Sequence, residues 1–260
     1  ITIDTRTKNK VVDILNNSII WHDNIIDCIK NADIVMTMVG FPQDVEEVYL
    51  SSDGILDNSK EGTIFIDFTT SSPKLAQDIY NKALINHKYS LDCPVSGGDI
   101  GAKNATLSIM VGGDEDIYQN VLPILKILGS TINYVGPAGF GQHTKMTNQI
   151  ALAGAISGVC EALTYAKSVG LDSQTMLDCI SNGAAGSWQM TNMAPKMMID
   201  DFDPGFYIKH YIKDMKIAKE QASKQNIDLT ILNTVLSMYQ DLEDNGYGDL
   251  GTQALIKHYK

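Results

Sequence analysis

The first half of the chain alternates short apolar runs with amphipathic stretches. The apolar runs predict strands at 34–39, 63–67, 89–92, 107–111 and 132–135. The runs at 34–39 and 63–67 are almost continuously apolar, as expected of strands covered on both faces. The amphipathic stretches predict helices at 8–15, 24–31, 43–50, 73–86 and 115–127. This alternation predicts an α/β domain with a doubly wound parallel sheet over residues 1–138.

The pattern changes after Gly136-Pro137-Ala138-Gly139. One helical pattern runs from Gln142 to Val169, and its middle is rich in small residues such as Gly154 and Gly158. Glycine in a helix costs about 1 kcal/mol relative to alanine, so we expect this helix to be packed on most sides. Further helices are predicted at 172–181, 187–199, 206–225, 229–244 and 250–258. The sequence therefore predicts an all-helical C-terminal domain over 139–260, joined to the first domain by a long helix.

Composition excludes several functions. The 260 residues carry a formal net charge of −11, which disfavours nucleic acid or an anionic membrane as partner. No apolar run reaches the roughly 18 residues that span a bilayer. The cysteines show no Cys-x-x-Cys pair and the histidines no ligand spacing, so we expect no disulfide framework and no metal. A reducing, cytoplasmic location fits these features.

A glycine-rich turn follows the predicted strand at 89–92. Its sequence is Asp92-Cys93-Pro94-Val95-Ser96-Gly97-Gly98. A turn so poor in side chains exposes backbone N–H groups and one hydroxyl, which can bind a small anion such as a carboxylate. An ordinary tight turn has the same composition, so this segment alone is not decisive.

Two further segments carry candidate chemistry. Lys145 and Asn148 are three residues apart, on one helix face behind a glycine-rich entry. A partly dehydrated lysine can exchange a proton near neutral pH, and an amide can orient a hydroxyl or carbonyl. A solvated lysine is equally compatible with the spacing. The third segment runs from Phe206 to Lys213-Asp214, where a surface ion pair is the simpler interpretation.

Together the three segments resemble the signatures of the β-hydroxyacid dehydrogenases. This family includes 3-hydroxyisobutyrate dehydrogenase, tartronate semialdehyde reductase and the glyoxylate/succinic semialdehyde reductases. The resemblance covers essentially the whole chain. It implies a Rossmann-type domain, a helical C-terminal domain, and hydride transfer between NAD(P) and a small hydroxyacid or semialdehyde carboxylate such as 3-hydroxyisobutyrate or tartronate semialdehyde. It also implies a homodimer or homotetramer.

The resemblance implies a role for each matching residue. Lys145 would protonate the carbonyl oxygen as hydride arrives and would remove that proton in the reverse direction. The residues implied to contact the substrate are Ser96, Gly97, Gly98, Asn148, Phe206 and Asp214. The residues implied to line the cofactor are Arg6, Thr7, Met38, Val39, Thr70 and Lys213, with Asp44 as a weaker candidate.

The start of the chain departs from the family pattern. The family opens with a strand, a Gly-x-Gly-x-x-Gly turn and a helix that receives the pyrophosphate, whereas Ile1-Thr2-Ile3 resembles the second strand of that fold. We expect roughly 25–30 residues to be absent, and a chain that begins at Ile1 to bind no cofactor tightly. After this strand Asp4 favours NAD, while Arg6 favours NADP. The resemblance implies NADP as well, because an Arg-Thr pair like Arg6-Thr7 goes with NADP in the reductases of this family. We expect NADP, with NAD as the alternative.

Two other functions are compatible with parts of the sequence. A catalytically silent, oligomeric binding or scaffold module of the same fold would not need Lys145, Asn148, Ser96 and Lys213 together. A 6-phosphogluconate-type relative would call for several arginines and a larger helical domain, whereas Arg6 is the sole arginine in the chain. That count favours a short, singly charged substrate.

Overall fold

The computed structural model describes all residues, 1–260, and these residues form two units. The first unit contains Ile1–Gly97 and Asn104–Thr144, and the second contains Gly98–Lys103 and Lys145–Lys260. The long predicted helix is present, and the change from one unit to the next falls within it.

All strands belong to the first unit. They are β1 Thr2–Ile3, β2 Ile20–Trp21, β3 Ile34–Thr37, β4 Ile64–Asp67, β5 Tyr89–Asp92, β6 Val95–Ser96, β7 Leu107–Gly112 and β8 Gly129–Gly136. Strands β3, β4 and β5 are parallel, β7 is antiparallel to β5 and β6, and β8 is parallel to β7. The expected α/β sheet is confirmed, and it is mixed. Strand β1 pairs only with β2, in a separate two-stranded sheet.

Twelve α-helices complete the two units. They are α1 Ile25–Ile29, α2 Pro42–Leu50, α3 Ile55–Asn58, α4 Pro73–Ile85, α5 Gly98–Lys103, α6 Glu115–Leu128, α7 Phe140–Ser168, α8 Ser173–Ile180, α9 Trp188–Asn192, α10 Ala194–Met198, α11 Ile208–Lys224 and α12 Thr230–Leu242. The α-helix predicted at 8–15 is wrong. Two 3₁₀ turns replace it, Lys8–Lys10 and Val12–Ile14, and neither buries a residue. A short helix without a packed face is not stable.

The core of the first unit explains its continuously apolar strands. Successive side chains of a strand point to opposite faces. Ile66 packs in one apolar cluster with Ile109 and Leu125, while the neighbouring Phe65 packs in a second cluster with Tyr49. Strand β4 is therefore buried on both sides, as its sequence predicts.

The second unit is all-helical around one apolar core, in agreement with the prediction, although the helix predicted at 250–258 is a 3₁₀ helix, Thr252–Tyr259. Its largest fully buried side chains include Tyr211, Tyr239 and Ile156. The helix predicted at 187–199 is two helices, α9 and α10. Pro195 lies in the first turn of α10, and a proline there cannot donate the N–H that would continue the preceding helix.

Helix α7 has one open face. The small residue Gly158 has no atom within 4 Å of the position a Cβ would occupy, and Ala151 is exposed. The expectation of close packing on most sides is therefore wrong for this face. By length and composition α7 could also cross a membrane, a test that core helices pass as well. Its opposite face, with Ala153, Ile156 and Cys160, lies in the core of the second unit, so we interpret it as a core helix.

Candidate active site

Lys145 is a buried amine on helix α7. Only 7% of the residue is exposed. Burial lowers the pKa of Lys145 from its ordinary value of 10.5, and the positive charge of Lys213 lowers it further, while the carboxylate of Asp214 opposes the shift. The expectation of a partly dehydrated lysine is confirmed, and a solvated lysine is excluded. Such an amine is suited to proton exchange.

The charged pair on helix α11 is also buried. Lys213 Nζ lies 3.1 Å from Asp214 Oδ1, and the two side chains are 11% and 2% exposed. The contact is an ion pair rather than an aligned hydrogen bond, since Oδ1 of Asp214 has no hydrogen-bond partner. The simpler interpretation from the sequence, a surface ion pair, is wrong. Lys145, Lys213 and Asp214 thus form one buried charge cluster in the second unit.

Gln149 links this cluster to Asn148, a connection that the sequence interpretation missed. Gln149 Nε2 donates to Asp214 Oδ2 at 2.6 Å, and Asn148 Nδ2 donates to Gln149 Oε1 at 2.7 Å. A carboxylate only accepts, so Gln149 must turn its N–H₂ to Asp214 and its oxygen to Asn148. The phenol of Tyr211 donates to the backbone oxygen of Gln149 at 3.0 Å. The Asn148 amide is therefore oriented by a chain of bonds from Asp214.

Phe206 and Gly98 are placed in the same unit as Lys145. The Phe206 ring packs on Tyr211, with 5.6 Å between centroids. Gly98 begins helix α5, which the sequence did not predict, and a Cβ on Gly98 would lie 3.6 Å from the oxygen of Gly205. The start of α5 is thus close to the residue that precedes Phe206.

The remainder of the glycine-rich turn lies in the first unit. Ser96 ends β6 and pairs with Ser108 of β7. Gly97 has a φ of 131° and Gly98 a φ of 64°, both in the region that favours glycine. The backbone conformation therefore requires these glycines, and the Ser96 hydroxyl lies at the end of a strand.

Three of the candidate cofactor residues follow the parallel strands of the first unit. Met38 and Val39 follow β3, and Thr70 follows β4. Met38 is 70% exposed, and Phe41 nearby in sequence is also exposed. The carboxyl ends of parallel strands are where an open α/β sheet binds its ligand. Met38 and Phe41 thus leave apolar side chains exposed after β3.

Arg6 is also in the first unit, and an acidic side chain of helix α2 binds it. Arg6 Nη2 donates to Asp44 Oδ1 at 2.5 Å, while Asp44 Oδ2 accepts from the N–H of Phe41 at 2.9 Å. This hydrogen bond with Arg6 is the main reason that the pKa of Asp44 is lowered. The Arg6 side chain is 75% exposed, so a phosphate could reach it. Thr7 is exposed beside it and makes no side-chain capping bond.

Two models of known protein families match this chain, one over each half. The family model described as the NAD binding domain of 6-phosphogluconate dehydrogenase matches residues 1–136. The model described as NAD-binding of NADP-dependent 3-hydroxyisobutyrate dehydrogenase matches residues 139–259. The two matches together cover nearly the whole chain.

Individual relatives agree with the family models. The uncharacterised oxidoreductase YkwC of Bacillus subtilis is 49% identical over 99% of this chain and 89% of its own length. A probable mitochondrial 3-hydroxyisobutyrate dehydrogenase-like protein of Arabidopsis thaliana is 38% identical, covering 98% of this chain and 77% of its own. A solved structure of Mycobacterium tuberculosis 3-hydroxyisobutyrate dehydrogenase with L-serine is 29% identical, with a TM-score of 0.82 over 91% of this chain and 82% of that one.

Proposed function

Because the chain belongs to the β-hydroxyacid dehydrogenase family and is an NAD(P)-dependent oxidoreductase of that type, we propose that it interconverts a short semialdehyde carboxylate and its β-hydroxyacid. 3-Hydroxyisobutyrate and tartronate semialdehyde are the leading substrates. The observation that carries the proposal is the buried amine of Lys145 with its lowered pKa.

When bound, a nicotinamide cofactor would supply the hydride that the carbonyl carbon accepts in the proposed reaction. Lys145 donates a proton from its ammonium to the carbonyl oxygen, and in the reverse direction the neutral amine takes the proton of the hydroxyl. Asn148, oriented by Gln149, would hydrogen-bond the reacting oxygen. Asp214 would favour the protonated form of Lys145 as reduction begins, because its negative charge opposes the lowering of the Lys145 pKa by burial.

The substrate carboxylate is proposed to bind to Ser96, Gly97 and Gly98. Because Arg6, the sole arginine of the chain, is bound to Asp44, the donors proposed for the carboxylate are backbone N–H groups, the Ser96 hydroxyl and a lysine. This donor set suits one short, singly charged acid. Phe206 and Asp214 are proposed to line the substrate-binding site.

NADP is the proposed cofactor. Arg6 and Thr7 would bind the 2′-phosphate. The residues proposed to line the rest of the cofactor are Met38, Val39, Thr70 and Lys213.

We propose residues 1–138 as the cofactor domain and residues 139–260 as the domain for substrate binding and oligomerisation. The open face of α7 supports a homodimer or homotetramer, and the free cysteines a cytoplasmic location.

A steady-state screen of the complete protein tests the proposed function. We expect turnover of at least one of glyoxylate, succinic semialdehyde, tartronate semialdehyde and 3-hydroxyisobutyrate, with NADPH or NADP preferred over NADH or NAD. Absence of turnover with all four compounds, in a protein that binds nucleotide, would refute the proposed reaction.

Hydroxyacid oxidation should become faster as pH rises. The neutral amine of Lys145 is the proposed base, and burial lowers its pKa below 10.5. The kcat for oxidation should therefore rise through an apparent pKa below that value, while the kcat for reduction falls over the same range. The check is kcat in both directions from about pH 6 to 10. A flat profile in both directions contradicts the role of Lys145.

Asp44→Asn is expected to tighten NADPH binding. The Asp44 carboxylate competes with the 2′-phosphate for Arg6, whereas the amide retains an oxygen for the Phe41 N–H. Because exposed ion pairs are weak, the expected decrease in the NADPH dissociation constant is about two- to fivefold. Fluorescence titration with NADPH and NADH measures it, and the exposed Glu46→Gln on the same helix is the control. Equal changes for both nucleotides would contradict the prediction.

A further inference from the structure

Asp92 is a buried carboxylate at the end of β5. Its side chain accepts two backbone hydrogen bonds from the start of helix α7. Gly139 N donates to Oδ1 at 2.8 Å, and Gln142 N donates to Oδ2 at 2.8 Å. Burial raises the pKa of Asp92 to about 7, and the two N–H donors oppose that rise. All of these residues lie in the first unit.

The Asp92 carboxylate takes the place of an N-cap side chain at the start of helix α7. The first N–H groups of a helix need partners, which a Ser, Thr, Asp or Asn just before the helix usually supplies. Helix α7 instead follows Gly139, which has no side chain. Asp92, 47 residues earlier in the chain, supplies the missing acceptors. A negative charge at this end of the helix is also favoured by the helix dipole.

Two glycines make room for this arrangement. A Cβ on Gly112 would lie 2.5 Å from Asp92 Oδ1 and 2.7 Å from the N of Gly141, and a Cβ on Gly141 would collide with the backbone oxygens of Asp92 and Met110. The first turn of α7 therefore lies directly against the backbones of β5 and β7. No side chain fits between them.

Gln142 fixes the same turn a second time. The residue is fully buried. Its Oε1 accepts from the N–H of Ser71 at 2.8 Å, and its Nε2 donates to the oxygen of Thr69 at 2.8 Å. The start of α7 is thus bound to the end of β5 and to the segment that follows β4, through buried hydrogen bonds.

We propose that Asp92 is a positioning residue of the reductase, because it fixes the start of the helix on which Lys145 lies three residues after Gln142. The same residue leads, through Cys93-Pro94-Val95, into the turn that contains Ser96. This role rests on the proposed function of Lys145. Loss of the Asp92 bonds should leave the amine present but less well placed for proton transfer.

Asp92→Asn tests the proposal in the complete protein. Asparagine has the same size but turns an N–H₂ toward one of the two N–H donors. We expect kcat to fall by about 10- to 100-fold, since small misplacement of a reacting group costs this much. The NADPH dissociation constant should change less than about twofold, because the two bonds that Asp92 accepts here come from Gly139 and Gln142, which are not proposed cofactor residues. Amide hydrogen exchange over residues 139–142 should become faster.

Two more variants complete the experiment. Asp92→Ser keeps one acceptor oxygen and adds no N–H₂, so it should fold even where Asp92→Asn does not, with the same selective loss of kcat. Asp172→Asn is the matched control, because Asp172 accepts from the N–H of Thr175 at 2.8 Å at the start of α8. Its kcat should remain that of the wild type.

The outcomes separate this proposal from the proposed function. If the wild type turns over substrate and the Asp92 variants have the same kcat, the positioning role of Asp92 is overturned but the proposed function is not. Unchanged amide exchange over 139–142, or a parallel loss of kcat and NADPH affinity, also overturns it. A wild-type protein that binds no nucleotide and turns over no substrate overturns the proposed function, and the role of Asp92 in catalysis with it.

Discussion

Lys145→Met is expected to lower kcat by about 10²- to 10⁴-fold, the usual contribution of a general acid or base. Methionine fills a similar volume without a proton to exchange. Burial removes water from the Lys145 ammonium, which disfavours the charged form and lowers the pKa of the amine. Its removal should therefore not reduce the thermal unfolding midpoint. Steady-state kinetics and calorimetry of the same preparation measure both effects.

Lys167→Met is the matched control for this experiment. Lys167 lies on the same helix as Lys145 but is exposed in its last turn. Its substitution should leave kcat within about twofold of the wild type, as for most surface changes. A near-native kcat in Lys145→Met would mean that another group transfers the proton. A large loss in both variants would point to damage of the helix instead.

Strand β4 was predictable because its environment is uniform along the chain, whereas the two-residue strands β2 and β6 were not predicted. The run 63–67 is apolar at successive positions since both faces of β4 are covered, so neighbouring residues face the same condition. The stretch 8–15 has a helical pattern too, but its apolar residues have no core to pack against. Periodicity indicates which face could be buried. It does not indicate whether a partner surface exists.

The site was predictable only where chemistry is local in sequence. Lys145 with Asn148, and Lys213 with Asp214, are close enough in the chain to be recognised as motifs. Gln149 and Asp214 are 65 residues apart, and Asp92 and Gln142 are 50 apart. Nothing in the spacing reveals such bonds, because the fold alone brings these residues together. The tertiary partners of each motif therefore had to come from the structure.

Asp214→Asn is expected to destabilise the protein by about 3–5 kcal/mol, since it removes one member of a buried ion pair. The ammonium of Lys213, 3.1 Å from Asp214 Oδ1, would lose its counter-charge, and Gln149 would face an amide instead of a carboxylate. Asp249→Asn is the matched control on an exposed pair. Asp249 binds Lys209 at 2.6 Å, and Lys209 lies on the same helix as Lys213 and Asp214. Loss of this exposed pair should cost less than about 1 kcal/mol.

The same substitution should move the pH profile in a defined direction. Asp214 raises the pKa of Lys145 against the effect of burial, so its removal should lower that pKa further. The rise of kcat for oxidation would then occur at lower pH, and reduction would be lost earlier on the alkaline side. Kinetics at a temperature where Asp214→Asn remains folded measure the shift. If the rise of kcat for oxidation stays at the same pH in Asp214→Asn, or moves to higher pH, Asp214 does not act on Lys145 through its charge.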